Sequence, residues 1–315
     1  MDFELSDEHR ALRQTVRELC VDRLPLIELA GREGPGFDDR LWADLVSLGV
    51  FCMRDAPPEG AGFGMTEAAV VYHELGRALV PGPIVWSHLA SPLGLKGVVC
   101  GLDTQRVGPL VEYLAVSDLL LFVGDKVRAI EVRSIDKAAM WPAPPLDPLT
   151  PAWRVDDAIP VGDVVGDAEA AHTLRRDGAV LVAAQLAGIA AAVTDLAAAY
   201  ARQREQFGRP IGSFQAVKHL LADMLVRAEI AQVAVEAAGV AIDGRSTLDV
   251  ERAVASAKVV AGESAIRNSE TCIQIHGGIG FSWELSAHLF LKRAWILDTQ
   301  FGTPAQHALT VSDHA

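Results

Sequence analysis

Apolar positions recur at helical spacing over the first 95 residues. Phe3, Leu5, Leu12, Val16 and Leu19 are spaced for one helix, and Ser6 with Glu8 suits its first turn. Leu41, Leu45 and Leu48 predict a second helix within 37–50 that stops at Gly49. A third, MTEAAVVYHELGRALV (65–80), ends before a Pro-Gly-Pro at 81–83, and PPEGAGFG (57–64) is a loop by composition.

The pattern changes over 96–168. DLLLFVGDKVRAIEV (118–132) holds two strand-like runs around Gly124 and Asp125, a hairpin signal. WPAPPLDPLTPAW (141–153) has five prolines in 13 residues, which excludes helix and central strand alike. A small β-rich insert with an irregular edge is expected here, with Trp141 and Trp153 as packing residues.

From 169 the chain returns to helix. The alanine-rich stretch 170–203 is weakened only at Gly178 and Gly188. Val217, Leu220, Leu221, Met224, Leu225 and Ala228 form an i, i+3, i+4, i+7 stripe. Ser246 with Asp249 makes a capping box for a helix over about 247–271. HGGIGF (276–281) breaks the pattern and WELSAHLFLKRAWIL resumes it. The expectation is a mainly α protein with a small β insert: an N-terminal helical domain (1–95), a reduced middle β domain (96–168) and a C-terminal four-helix bundle (169–315). Ala183, Ala184, Ala187 and Gly188 are small enough for close helix contact across the subunits of an oligomer.

Composition narrows the function classes. Half of the 315 residues are hydrophobic and the net charge is −13, a poor match to nucleic-acid binding, which rests on a basic footprint. The acidic start MDFELSDEHRALRQ does not read as a secretory signal, and no run of 18 uncharged apolar residues points to a membrane. Cys20, Cys52, Cys100 and Cys272 lie far apart without CxxC spacing. His73, His172, His219, His276 and His288 lack metal-ligand spacing, so no metal is expected. A soluble cytoplasmic protein is the reading.

Two motifs carry candidate chemistry. In 202–212, RQREQFGRPIG closes a long helix; Gly208 suits the left-handed position at a helix end, and an arginine there can face a phosphate. In QIHGGIGF (274–281), paired glycines let a ligand or another backbone approach closely. Each has an ordinary alternative: an arginine meeting the helix dipole, and a plain turn.

Together, REQFGRPIGSFQAVKHLLADM (204–224) and QIHGGIGFSWELSAHLFLKRA (274–294) resemble the C-terminal signature of the acyl-CoA dehydrogenase family. FDDRLWADLVSLGV, PPEGAGFG and VVYHELGRALVPGP agree in the N-terminal part. The resemblance covers 1–95 and 170–305, and the middle poorly. It implies the family's fold and cofactor: flavin adenine dinucleotide (FAD) between the middle domain and bundle of one subunit, its adenosine diphosphate end held by the neighbour. The matching residues are Arg204 for the pyrophosphate, with Phe207, Gln215, Gln274, Gly277 and Gly278; Thr303 is a further cofactor candidate.

The family removes an acyl-CoA α-proton with a carboxylate while the β-hydrogen leaves as hydride. The usual base is the Glu of a Tyr-Glu-Gly-Thr motif, where this chain has Gln300-Phe301-Gly302-Thr303. The alternative base position, on the first bundle helix, falls at Gly178, and a neighbouring family arginine at Ala179. Asp177 is a weak candidate for a displaced base, its ordinary reading being an exposed acid near the helix start. The family's flavin-ring loop has no match in 96–168. The resemblance thus implies a degraded-site subunit of a heterotetramer of the actinobacterial steroid-degradation type, which GFSWELSAHLFLKRA also resembles. This chain would complete the FAD site of a full-length homologue that carries the base, with an electron-transfer flavoprotein or similar acceptor. Two alternatives stay open: a self-sufficient homo-oligomeric enzyme using a base such as Asp177, and a flavin-free scaffold.

Overall fold

The computed structural model describes residues 6–24, 36–105, 108, 110–156 and 159–314. Helices α1 (Asp7–Arg23), α2 (Asp39–Ser47), α3 (Met65–Arg77) and α4 (Ile84–Ala90) come first. Ser6 caps α1 by accepting from His9 N, and Asp38 caps α2 by accepting from Arg40 N and Leu41 N. Val16 is fully buried, with Leu12 and Leu19 partly so; Phe3 and Leu5 lie outside the described residues. The turn after α2 passes through Gly49 at φ 77°, a conformation glycine takes without strain.

The middle segment forms two small sheets from β1 (Val99–Asp103), β2 (Leu110–Glu112), β3 (Leu119–Val123), β4 (Val127–Glu131), β5 (Met140–Ala143), β6 (Ala152–Val155) and β7 (Asp163–Gly166). Their orders are β1-β3-β4-β7 and β2-β6-β5. β3 and β4 are the hairpin expected around Gly124 and Asp125. The proline-rich stretch is a partial correction. Trp141 and Pro142 occupy the edge strand β5, where a missing donor is tolerated, but Trp153 lies in β6, the central strand of its sheet. The prolines end at Pro151, so Ala152–Val155 keep every backbone donor. Trp153 packs on the core between the sheets, whereas Trp141 is 44% exposed and is no packing residue.

The C-terminal part holds α5 (Ala168–Gln203), a hairpin of β8 (Glu205–Gln206) and β9 (Arg209–Pro210), then α6 (Gln215–Ile242), α7 (Val250–His276), α8 (Ala287–Asp298) and α9 (Pro304–Asp313). Asp249 caps α7 by accepting from Arg252 N, while Ser246 Oγ accepts from Leu248 N instead. No Ser246–Asp249 capping box forms, and the helix starts at Val250 and runs on to His276.

α5 is the axis of the molecule, packed by α3, α6, α7 and α8. It is long and apolar enough to cross a membrane, yet 83% of its most apolar window is buried in the protein. Ala183, Ala184 and Ala187 are at most 1% exposed. A Cβ on Gly188 would collide with the His73 carbonyl of α3, and one on Gly76 with the Gln185 carbonyl of α5. The small residues therefore admit α3 of the same chain, not a helix of another subunit. The α6 stripe also divides: Met224 and Ala228 are buried, while Leu220 and Leu225 are exposed. One core runs from Val16 through the bundle to Phe301, and a second fills the space between the sheets.

Candidate functional site

α5 ends at Arg204, whose amide donates to Tyr200 O and whose carbonyl accepts from Ile211 N, both at 2.8 Å. The backbone is fixed, yet the exposed guanidinium meets no partner among the described residues. Phe207 (φ 53°) and Gly208 (φ 75°) join β8 to β9, two left-handed residues in succession as a tight hairpin requires. Gly208 is left-handed as expected, but in this hairpin turn and not at the helix end. Phe207 is 92% exposed, edge-on to Phe214 at 6.0 Å, and Arg209 lies 4.2 Å over the Phe214 ring. A non-glycine residue at positive φ stores strain, here spent to present a bare aromatic ring.

The second motif meets the first at the same end of the bundle. The Tyr200 ring stacks on His276 at 4.1 Å, setting the end of α5 beside the end of α7. Gln274 is exposed on the last turn of α7, and Gln215 is exposed at the start of α6. A Cβ on Gly277 or Gly278 would meet nothing within 4 Å, so these glycines form an open shelf. Arg204, Phe207, Gln215, Gln274, Gly277 and Gly278 are thus grouped, exposed and free to meet something outside the chain. A free, planar guanidinium suits a diphosphate, and bare backbone lets a ligand approach closely.

The position expected for a base lies elsewhere. Phe301 is 5% exposed, with its ring against Gly178 and 4.6 Å from the Trp86 ring. Trp86 in turn lies on Gly101 of β1, where a Cβ would collide with the indole. Two aromatic rings therefore fill the gap between β1 and α5, over two glycines. His307 Nε2 donates to Phe301 O at 2.9 Å and holds the turn. Arg175 clamps the sheet edge to α5 through Asp103 and the carbonyls of Val123 and Gly124.

Asp177 is 5% exposed and lies well inside α5, not at an exposed helix start. Its Oδ2 accepts from Arg54 Nη1 at 2.8 Å, and its Oδ1 from Arg176 Nε and Nη2 at 3.1 and 3.0 Å. Both oxygens are engaged by guanidinium donors. Beside the pair opens a cavity of about 870 Å³ lined by Arg54, Asp55, His88, Thr173 and Leu174, among others. Burial, with Arg54 adding to it, pushes His88 down to about 4, so it is neutral at neutral pH. Sequence reasoning missed Arg54, Trp86 and His88, since nothing local marks residues whose partners, Asp177, Phe301 and Val50, lie on distant elements.

The two halves are far apart. Arg204 and Gly178 are separated by 26 helical residues, about 39 Å at ~1.5 Å per residue. Thr303 belongs to the Phe301 half, where its hydroxyl caps α9 by accepting from Gln306 N. It does not join the other six residues.

Residues 6–97 match the acyl-CoA dehydrogenase N-terminal domain and 170–315 the C-terminal domain. Acyl-CoA dehydrogenase IpdE2 of Mycobacterium tuberculosis is 32% identical over 305 residues, 91% of either chain. Acyl-CoA dehydrogenase FadE34 of the same organism is 36% identical over 283 residues, 81% of this chain but 39% of that longer protein. The ChsE4-ChsE5 complex from Mycobacterium tuberculosis shares the fold, with a TM-score of 0.80 at 23% identity over 100% of this chain and 98% of that one. The expected fold stands, and the chain belongs to the acyl-CoA dehydrogenase family.

Proposed function

We propose that this chain is the half-site subunit of a heteromeric acyl-CoA dehydrogenase, completing the FAD site of a full-length homologue that supplies the catalytic base. One observation supports this above all: the exposed shelf around Arg204 and Gly178, against which Phe301 packs, lie about 39 Å apart on α5, beyond the reach of one dinucleotide. A complete site then needs two chains. In a pair of identical chains it would still lack a carboxylate at either expected base position, because Phe301 cannot accept a proton and Gly178 has no side chain, while both oxygens of Asp177 are taken by guanidinium donors.

Bound FAD supplies the acceptor for the substrate's β-hydride. The Arg204 guanidinium holds the pyrophosphate, and the amides of Gln215 and Gln274 with the bare backbone of Gly277 and Gly278 hold the adenosine side. Phe207 gives the site an apolar wall and keeps water from it. Removal of the α-proton falls to a carboxylate of the partner. An electron-transfer flavoprotein or similar acceptor is the outlet for the electrons. The steroid-degradation resemblance of GFSWELSAHLFLKRA supports a CoA thioester from that chemistry as substrate.

Flavin content tests this reading. The chain purified alone is expected to show almost no flavin absorption, and its complex with the partner one flavin per pair of unlike chains. Stoichiometric flavin in the isolated chain would favour the self-sufficient alternative and overturn the proposal.

A further inference from the structure

His88 stands on α4 at the wall of the 870 Å³ cavity beside Asp177, and the proposed function gives it no part. The residue is 1% exposed. Its Nδ1 lies 3.1 Å from the Val50 carbonyl, which can only accept, so Nδ1 carries the proton and Nε2 of the neutral ring is an acceptor. Nε2 meets no hydrogen-bond donor among the described residues. It is not sealed, as the unpartnered nitrogens of His73, His276 and His288 are; a water-sized probe reaches it. Because His88 lines the cavity and shows almost no other surface, that opening is into the cavity. Buried acceptors are nearly always satisfied, so this one points to a donor that the cavity receives.

The charge of the wall says which kind of donor. Asp55, Glu59, Asp167, Glu169, Asp177 and Asp243 line the cavity against one guanidinium, that of Arg54. Asp177 and Asp243 are fully engaged, but Glu59 and Glu169 have no partner among the described residues, and Asp55 keeps one oxygen free while the other accepts from Ser91 Oγ. A concave wall of one sign concentrates the opposite charge and repels phosphates, so neither a dinucleotide nor a CoA group suits it. Among the described residues no group of side chains is placed to hold a metal ion. Phe63, Leu89, Leu93 and Leu174 add an apolar surface.

We propose that this cavity binds a small organic ammonium ion with an apolar body, whose N–H donates to His88 Nε2 and whose charge is balanced by the carboxylates of the wall. The site lies at the start of α5, at the opposite end from the Arg204 shelf. It is also separate from Phe301: Asp177 faces the cavity, while Gly178, turned by about 100° on the helix, faces the Phe301 ring.

The test needs neither flavin nor partner, so its outcome is independent of the proposed function. The full chain is titrated calorimetrically at pH 7 with cyclohexylamine, an ammonium ion at that pH, and with cyclohexanol and cyclohexanecarboxylate. The amine is expected to bind roughly tenfold tighter than the alcohol, since a charge-assisted hydrogen bond is about twice as strong as a neutral one, and the carboxylate is expected not to bind. His88→Phe keeps a ring against Tyr72 and removes the acceptor; amine affinity should fall about 10- to 150-fold. Glu59→Gln and Glu169→Gln alter exposed side chains that hold no other group, and each should weaken the amine roughly two- to fivefold. These two decide the matter should His88→Phe not fold. Absence of amine binding, equal binding of the alcohol, or an affinity unchanged by His88→Phe would overturn the proposal, as would an affinity unchanged by both carboxylate variants.

Discussion

The Cβ that Gly178 lacks would lie 2.5 Å from the Phe301 ring. The two positions at which relatives of this chain are expected to carry a base are thus packed face to face, and each constrains the other. A side chain at 178 is possible only if the ring at 301 gives way. The packing thus favours a glycine at 178 as long as a ring stands at 301.

Gly178→Ala is therefore expected to destabilise the chain by about 1–3 kcal/mol through overpacking. Phe301→Leu should cost a comparable amount alone, by loss of buried ring contacts. The double variant should be more stable than the sum of the two, with a coupling of roughly 0.5–3 kcal/mol. Urea denaturation of the four proteins measures this, and strictly additive effects would show that the contact carries no energy.

In the proposed complex, substitutions at the two ends of α5 are expected to have different effects. Arg204→Ala should weaken FAD binding about 10- to 150-fold, the loss of a charge-assisted contact worth ~1.5–3 kcal/mol. Activity should fall and recover when flavin is added. Phe301→Glu is expected to leave turnover within about twofold, although its carboxyl would be buried between Trp86 and Gly178. Loss of α-proton exchange in Asp177→Asn, with flavin still bound, would instead assign the base to this chain.

Asp177→Asn should act on stability. The carboxylate holds Arg54 of the N-terminal part and Arg176 of its own helix, and a neutral amide leaves both guanidinium groups poorly paired. About 1–3 kcal/mol is expected. A melting temperature equal to that of the parent would show that the pair is structurally idle.

Acid sensitivity follows from two buried groups. Burial acts to raise the Glu74 carboxyl, but hydrogen bonds from His73 and Arg17 outweigh it and hold the group at about 2. Burial and Arg54 push His88 down to about 4. Both values lie below those of the unfolded chain, ~4.3 and ~6.5. In each case the unfolded chain binds the proton first, so stability is full above the unfolded value and is lost as pH falls through the folded one. The unfolding free energy should decline from about pH 6.5 to 4 through His88, and further from about 4.3 to 2 through Glu74. Denaturation midpoints at a series of pH values check this; a flat profile between pH 7 and 4 would contradict the role of His88.

Helical periodicity and caps such as Ser6 were legible because each is settled within one turn of chain. The six shelf residues were legible as two motifs, since each motif sits at a helix end. What brings the motifs together, the Tyr200–His276 stack, spans 76 positions and leaves no local trace. The burial of Asp177 was invisible for the same reason: its partner Arg54 is 123 positions away. Ser246 illustrates a different limit, because two residues in series can compete for one cap and spacing alone does not choose between them.

The reciprocal glycine contacts between α3 and α5 have a mechanical consequence. Each helix offers a glycine to the other's carbonyl, Gly76 to Gln185 and Gly188 to His73, so the pair is latched in both directions. Sliding by even one residue would drive a side chain into backbone. Helices α3 and α5 are then held to move as a single block. If a cofactor is trapped between this block and a partner, its escape is timed by the parting of the subunits, so cofactor exchange should slow as the complex is made more concentrated.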